Sequence, residues 1–224
     1  MTQEFFYNAQ LEAILLLDNK EWLEKNKNFL HEEHLLRFVK RMFQYYNKEQ
    51  PLIQPLPYFE EEIKQDLNES FAYFAGLFNL KEDLSKAIKE VISKIPFKHI
   101  LLLLGQRITS ASVQDQRAIP PLKEILHSSC FQPYNKETSV GVRAWEKHVG
   151  RYENSIMGAI KGNQLEKNNK VVDLMNYMHE NATWWNVFYH YKHGLVYEIR
   201  IENGQGMRWT SDGKRFIGFL EHFR

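Results

Sequence analysis

Apolar residues recur every three or four positions through the first hundred residues and every second position near the end, a pattern of helices followed by a small sheet. From Gln3 to about Lys25, Phe6, Ala9, Ile14 and Leu17 keep helical spacing with no Gly or Pro between them, which predicts one helix. Asn28 is placed to cap a second, with Leu35, Leu36, Phe38, Val39, Met42, Phe43 and Tyr46 on its buried stripe. The prolines from Pro51 to Pro57 predict a stiff, extended connection. A third helix is expected over Tyr58 to Phe78, from Phe59, Ile63, Leu67, Phe71, Phe74 and Phe78. A fourth is expected over Lys81 to Ile95, capped by Asn79 and stopped by Pro96.

The run KHILLLLGQ fits either a buried strand or the core of a helix, since periodicity does not separate the two. In IPPLKEILHSSCF the prolines stand where a helix begins. Thr138 or Ser139 is placed to cap a short helix through VGVRAWEKHVGR, ended at Gly150. A longer one is expected from about Asn163 to Asn181, with Val171, Leu174, Met175 and Met178 as its apolar seam.

Two turn signals, Asn203-Gly204 and Asp212-Gly213, then sit between alternating runs, which predicts a meander. With two-residue turns, Ile199 faces Arg208, Glu198 faces Trp209, Trp209 faces Phe216, and Arg208 faces Ile217. Arg208 would then stand among Tyr197, Ile199, Ile201, Ile217 and Phe219, with Glu198 on the opposite face. A guanidinium there needs a partner or a ligand, because desolvating it alone costs several kcal/mol. Three readings stay open: a paired structural arginine, a site residue, or a register wrong by one, which flips every side chain on the strand.

The fold class expected is α+β, with a helical N-terminal half packed with a C-terminal helix pair and a small three-stranded antiparallel meander. The expected regions are a bundle-like 1–96 and an α+β 97–224, joined in one unit.

Composition narrows the function classes only a little. The 29 basic and 28 acidic residues leave a formal charge of +1, so no global charge draws the chain to nucleic acid or lipid. After Thr138, however, 12 basic residues meet 9 acidic ones, and five of the nine His lie there. One cysteine, Cys130, makes no internal disulfide and points to a reducing compartment. The start MTQEFF lacks a signal-peptide pattern, and the run ILLLL is too short to span a membrane. The expectation is an intracellular, cytoplasmic protein with no membrane span, with export as an effector left open.

The candidate chemistry centres on RAWEKHVGR, where Arg143, Lys147 and Arg151 form one basic helical stripe beside His148. The expected function is a basic and aromatic pocket for a small anionic, phosphate-bearing ligand. Arg143, Lys147, Arg151 and Arg208 would hold charge, Trp185 or Trp209 would stack, and His148, with Glu198 as partner, would supply acid–base chemistry. Whether chemistry follows binding, and so whether the protein is an enzyme, stays open. TWWNVFYHYKHGLVYEIR mixes aromatics with His190, His193 and Lys192, which suits a base-stacking pocket or simple core packing. HEEH fails the zincin spacing, so no metal site is assigned, and whether a cofactor is used stays unknown. The alternatives are a protein-interaction module using the helical half and, third, a nucleic-acid binder.

Overall fold

The computed structural model describes residues 1–55, 59–80, 82–150 and 155–222. The chain divides into two compact units, one of Met1–Pro57, Ile63–Arg107 and Gln114–Ile119, the other of Tyr58–Glu62, Ile108–Val113 and Pro120–Arg224. The α+β class holds: helices dominate the first half, and an antiparallel sheet lies at the C-terminus.

The helical unit contains α1 Gln3–Leu15, α2 Lys20–Asn26, α3 Glu32–Tyr46, α4 Asn68–Ala75, α5 Leu84–Lys94 and α6 Phe97–Leu103. The single helix expected to Lys25 is two, because the Asn19 side chain accepts from Trp22 N–H at 2.9 Å and restarts the chain as a cap. His31, not Asn28, caps α3, its Nδ1 accepting from Glu33 N–H at 3.3 Å. The third helix is shorter than its apolar spacing suggests. Asp66 Oδ1 accepts from Asn68 N–H at 2.8 Å, so the helix starts only there, and upstream lies the two-residue strand β1, Glu62–Ile63. Asp83 rather than Asn79 precedes α5, and KHILLLLGQ is resolved as the helix α6. Tyr58 and Lys81, where the third and fourth helices were expected to begin, lie outside the described residues. The core of this unit is aromatic: Phe6 stacks on Phe78 at 5.3 Å and meets Phe43 edge-on at 5.9 Å, while Phe38 meets Phe74.

The second unit contains β2 Ile108–Thr109, α7 Lys123–Cys130, α8 Val140–Glu146, α9 Gln164–Glu180, β3 Ala182–His190, β4 Gly194–Ile201, β5 Gly206–Thr210 and β6 Phe216–Leu220. Ser139 caps α8, and Asn163 with Glu166 forms a reciprocal capping box on α9. The sheet has four strands in the order β3-β4-β5-β6 rather than three, because the aromatic run at 182–190 extends and pairs with β4.

The β4–β5 register differs by one from that expected. Glu198 faces Arg208, and Ile199 faces Met207. The connection is not a two-residue turn: Gly204 N–H donates to Ile201 O and Ile201 N–H to Gln205 O, a three-residue loop with Gly204 at φ +86°. The extra residue moves Arg208 to the other face of the sheet. Trp209 does face Phe216, but a bulge then pairs Arg208 with Gly218 rather than Ile217.

One face therefore carries Trp185, Val187, Tyr197, Ile199, Met207 and Trp209, none more than 3% exposed. It packs beneath the helices, α9 against β4 and α7 and α8 against β6. Fully burying each such side chain contributes about 1.5–3 kcal/mol. The other face carries Trp184, Asn186, Phe188, Glu198, Arg200 and Arg208, and it holds the unit's polar chemistry.

Candidate functional site

A cleft of about 410 Å³ opens on this second face. Its floor comes from the sheet, Trp184 and Phe188 on β3, Glu198 and Arg200 on β4, and Arg208 on β5. Its rim comes from Tyr189, His190 and Tyr191 at the β3–β4 turn, and from two short segments far away in sequence, around Phe59 and Glu61 and over Thr109–Ala111. The second of these is stitched to the edge strand: Val113 N–H donates to Val187 O at 2.9 Å, and Tyr189 N–H to Ala111 O at 3.1 Å. Asn186, fully buried, donates to Ser112 Oγ at 2.7 Å, and the Phe59 ring lies 5.8 Å from that of Trp184.

Charge in the cleft is organised around Glu198, which is 2% exposed. Its Oε1 accepts from Arg200 Nε at 2.5 Å and its Oε2 from Arg208 Nε at 2.6 Å. Arg200 is spent on structure: its guanidinium also donates to Gly204 O at 2.5 Å and Glu221 O at 2.8 Å, tying the β4–β5 turn to the end of the sheet. A Cβ on Gly206, facing Arg200, would stand 2.1 Å from Ile199 O, so only glycine admits this close approach. Arg208 is the more open of the pair, its side chain 15% exposed and 5.8 Å over the Phe188 ring.

Three rings continue from there. His190 stacks on His193 at 4.8 Å and on Tyr191 at 4.7 Å, and Tyr191 is 86% exposed. Burial, and next the Arg208 charge, holds His190 below the usual histidine range, and the same causes act on His193. His190 Nδ1 accepts from Lys192 N–H at 3.1 Å, so the neutral ring carries its proton on Nε2. Among the described residues, no group of three or more His, Cys, Asp or Glu is arranged to hold a metal ion.

The residues singled out from the sequence are not all brought together. Glu198 and Arg208 meet in the cleft, directly bonded rather than on opposite faces as expected. Arg143 sits on α8, 3.9 Å from Glu146 and over the Tyr134 ring, and Lys147 is exposed at the end of that helix. His148 bonds the Glu221 carboxylate, and its ring meets Phe219 edge-on. Trp185 and Trp209 belong to the helix-covered face: Trp209 is 0% exposed and donates from Nε1 to Leu126 O. Arg151 lies outside the described residues.

The aromatic and histidine run at 182–193 was the legible signal for the cleft, since it mixes stacking surface with groups that titrate near neutrality. Strand alternation already put Arg200 on the face of Glu198, but no local signal marked it as that carboxylate's partner, and the segments at 59–61 and 109–111 carry no local pattern that ties them to the sheet.

A family model described as the CdiA C-terminal tRNase toxin domain matches residues 127–221, somewhat under half of the chain. No curated protein and no solved structure gives a significant match. The matched stretch runs from the end of α7 through β6 and includes His190, Glu198, Arg200 and Arg208. This finding overturns the expectation of a small anionic, phosphate-bearing ligand and reverses the order that put nucleic acid last. The cytoplasmic assignment loses its support as well, while the effector alternative agrees with a toxin family. Among the described residues, no helix is long and apolar enough to cross a membrane.

Proposed function

We propose that the second unit is the nuclease of a toxin that cleaves tRNA, with the cleft around Glu198 and Arg208 as its active centre. The observation that carries this reading is the position of Arg208 and His190 together at an aromatic cleft, inside the stretch that resembles a tRNase toxin domain.

Cleaving an RNA phosphodiester requires positive charge on the phosphate oxygens and proton transfer at the attacking and leaving oxygens. Arg208 supplies the first. Glu198 fixes the direction of its fork, so Glu198 is a positioning residue rather than the base. His190, neutral at physiological pH with its proton on Nε2, can donate a hydrogen bond to a phosphate oxygen and so adds to the charge stabilisation. Glu61, an exposed carboxylate at the rim, and His193, stacked on His190, are the nearby groups suited to accept a proton. The toxin would act wherever tRNA is held, in the cytoplasm of the cell it enters or is made in.

The test is to incubate the purified chain with tRNA and resolve the products on a denaturing gel, alongside Arg208→Lys and His190→Ala. Discrete fragments are expected from the wild type. Both variants should melt within a few degrees of it and cleave ~100-fold more slowly, as for loss of one charge-stabilising or proton-transferring group. Intact tRNA with the wild type, or undiminished cleavage by both variants, would sink the reading.

A further inference from the structure

The cleft also carries information on which part of an RNA it accepts, an inference that rests on the proposed nuclease reading. We infer that the site takes an unpaired nucleotide, its base stacked among the aromatic rings at the cleft, so that single-stranded loops and not paired stems are cut.

The supporting features are the size of the cleft, its rings and the exposure of Tyr191. The cleft of about 410 Å³ is near the lower end of ligand-sized sites, which span about 300–1,000 Å³. That is room for roughly one nucleotide, not for the flank of a duplex. Its walls are rings: Phe59, Trp184, Phe188 and the His190–Tyr191 stack. Rings of this kind recognise the π-face of a base, and a duplex hides those faces between neighbouring pairs. Tyr191 offers its ring almost wholly to solvent, at 86% exposure, while Trp184 on the cleft floor is buried and Phe188 half-buried. A tyrosine left this open at the mouth of an aromatic cleft is placed to close over an entering base.

Charge tells the same story from the other side. Proteins that grip duplex RNA by its shape do so through many contacts to phosphate and 2′-hydroxyl groups. Here the cleft's two guanidiniums are already bonded to Glu198. Binding energy must therefore come largely from stacking, and stacking requires an unpaired base.

Two measurements separate this inference from the nuclease reading. First, the cut in tRNA is mapped by end-labelling after partial digestion with the full chain. Cuts confined to unpaired loops or the single-stranded 3′ end support the inference. Cuts within base-paired stems overturn it while leaving the nuclease reading intact. Second, fluorescence anisotropy measures binding of a labelled 2′-O-methyl RNA octamer, which resists cleavage through its 2′-hydroxyl, alone and annealed to its complement. The single strand should bind at least ~10-fold tighter, and Tyr191→Ala should lose about tenfold of that affinity while Tyr191→Trp keeps it. Equal affinity for the two forms, or no change with Tyr191→Ala, overturns the inference even if tRNA is cleaved. An absence of tRNA cleavage together with strong single-strand preference would leave the stacking cleft standing and remove the nuclease.

Discussion

Glu198 and Arg208 stand directly opposite each other on neighbouring strands, and the arginine Nε donates to the glutamate Oε2 at 2.6 Å on the floor of the cleft. The same carboxylate holds Arg200 through its other oxygen. Two guanidiniums thus share one buried negative charge, and Arg200 passes the constraint on to Gly204 and to Glu221, whose side chain meets His148.

Removing the shared carboxylate should be costly. Glu198→Gln leaves two largely buried cations with one neutral partner, and breaking a buried pair from one side typically costs about 3–5 kcal/mol. Urea unfolding of the variant should show the midpoint drop. A shift of less than about 1 kcal/mol would mean that water reaches both guanidiniums, contrary to their burial.

His190 should impose an acid limb on cleavage. Its folded pKa lies below the ordinary value of 6.5, so the neutral ring persists through neutrality and is lost only as the pH falls below that value. In the wild type, kcat/KM should stay flat near pH 7 and then decline on acidification, because protonating Nδ1 ends the bond from Lys192 N–H that orients the ring, and His190→Gln should remove that limb from its residual activity. A limb unchanged in the variant would assign the titration to another group.

Gly204 fixes the register that brings Glu198 opposite Arg208. Its φ of +86° is left-handed, so Gly204→Ala should cost about 1–2 kcal/mol. The variant should also cleave RNA more slowly, because Arg200 donates to the Gly204 carbonyl and the turn anchors the ion-pair network. Thermal melts and initial rates on tRNA check both effects.

In the helical unit, His99 is 3% exposed and bonded to Ser70 Oγ at 2.8 Å, and burial lowers its pKa from 6.5 despite the nearby Glu69 carboxylate. Between the folded pKa and 6.5 the unfolded chain binds the extra proton, so stability rises with pH across that window. Urea midpoints should therefore fall as the pH drops from 7.5 to 5, and His99→Gln should show a shallower dependence than the wild type.

Much of the architecture was written in local chemistry. Ser139, one of the two residues expected to cap α8, does so, α9 begins at Asn163 as expected, its Met175 and Met178 seam is buried, and the alternating C-terminal runs form a sheet. Helix caps, helical periodicity and alternation act within a few residues, so one sequence displays them. Periodicity overstated the third helix because apolar spacing says nothing about where Asp66 breaks the backbone pattern.

The site needed the tertiary structure for two physical reasons. Asn203-Gly204 announces a turn, but whether two or three residues form it depends on how the flanking strands pack, and a difference of one exchanges the two faces of β5. On that exchange turned the whole reading of Arg208: among isoleucines it was an anomaly, opposite Glu198 it is half of an ion pair. The cleft's rim depends on contacts between residues more than a hundred positions apart, Phe59 with Trp184 among them, and no local periodicity encodes such a meeting. The sequence alone determined that there would be a small sheet rich in aromatics, histidines and arginines, because those are local properties. Which of these residues share a face was decided only when the strands paired, because side-chain alternation turns a single residue of register into opposite sides of the sheet.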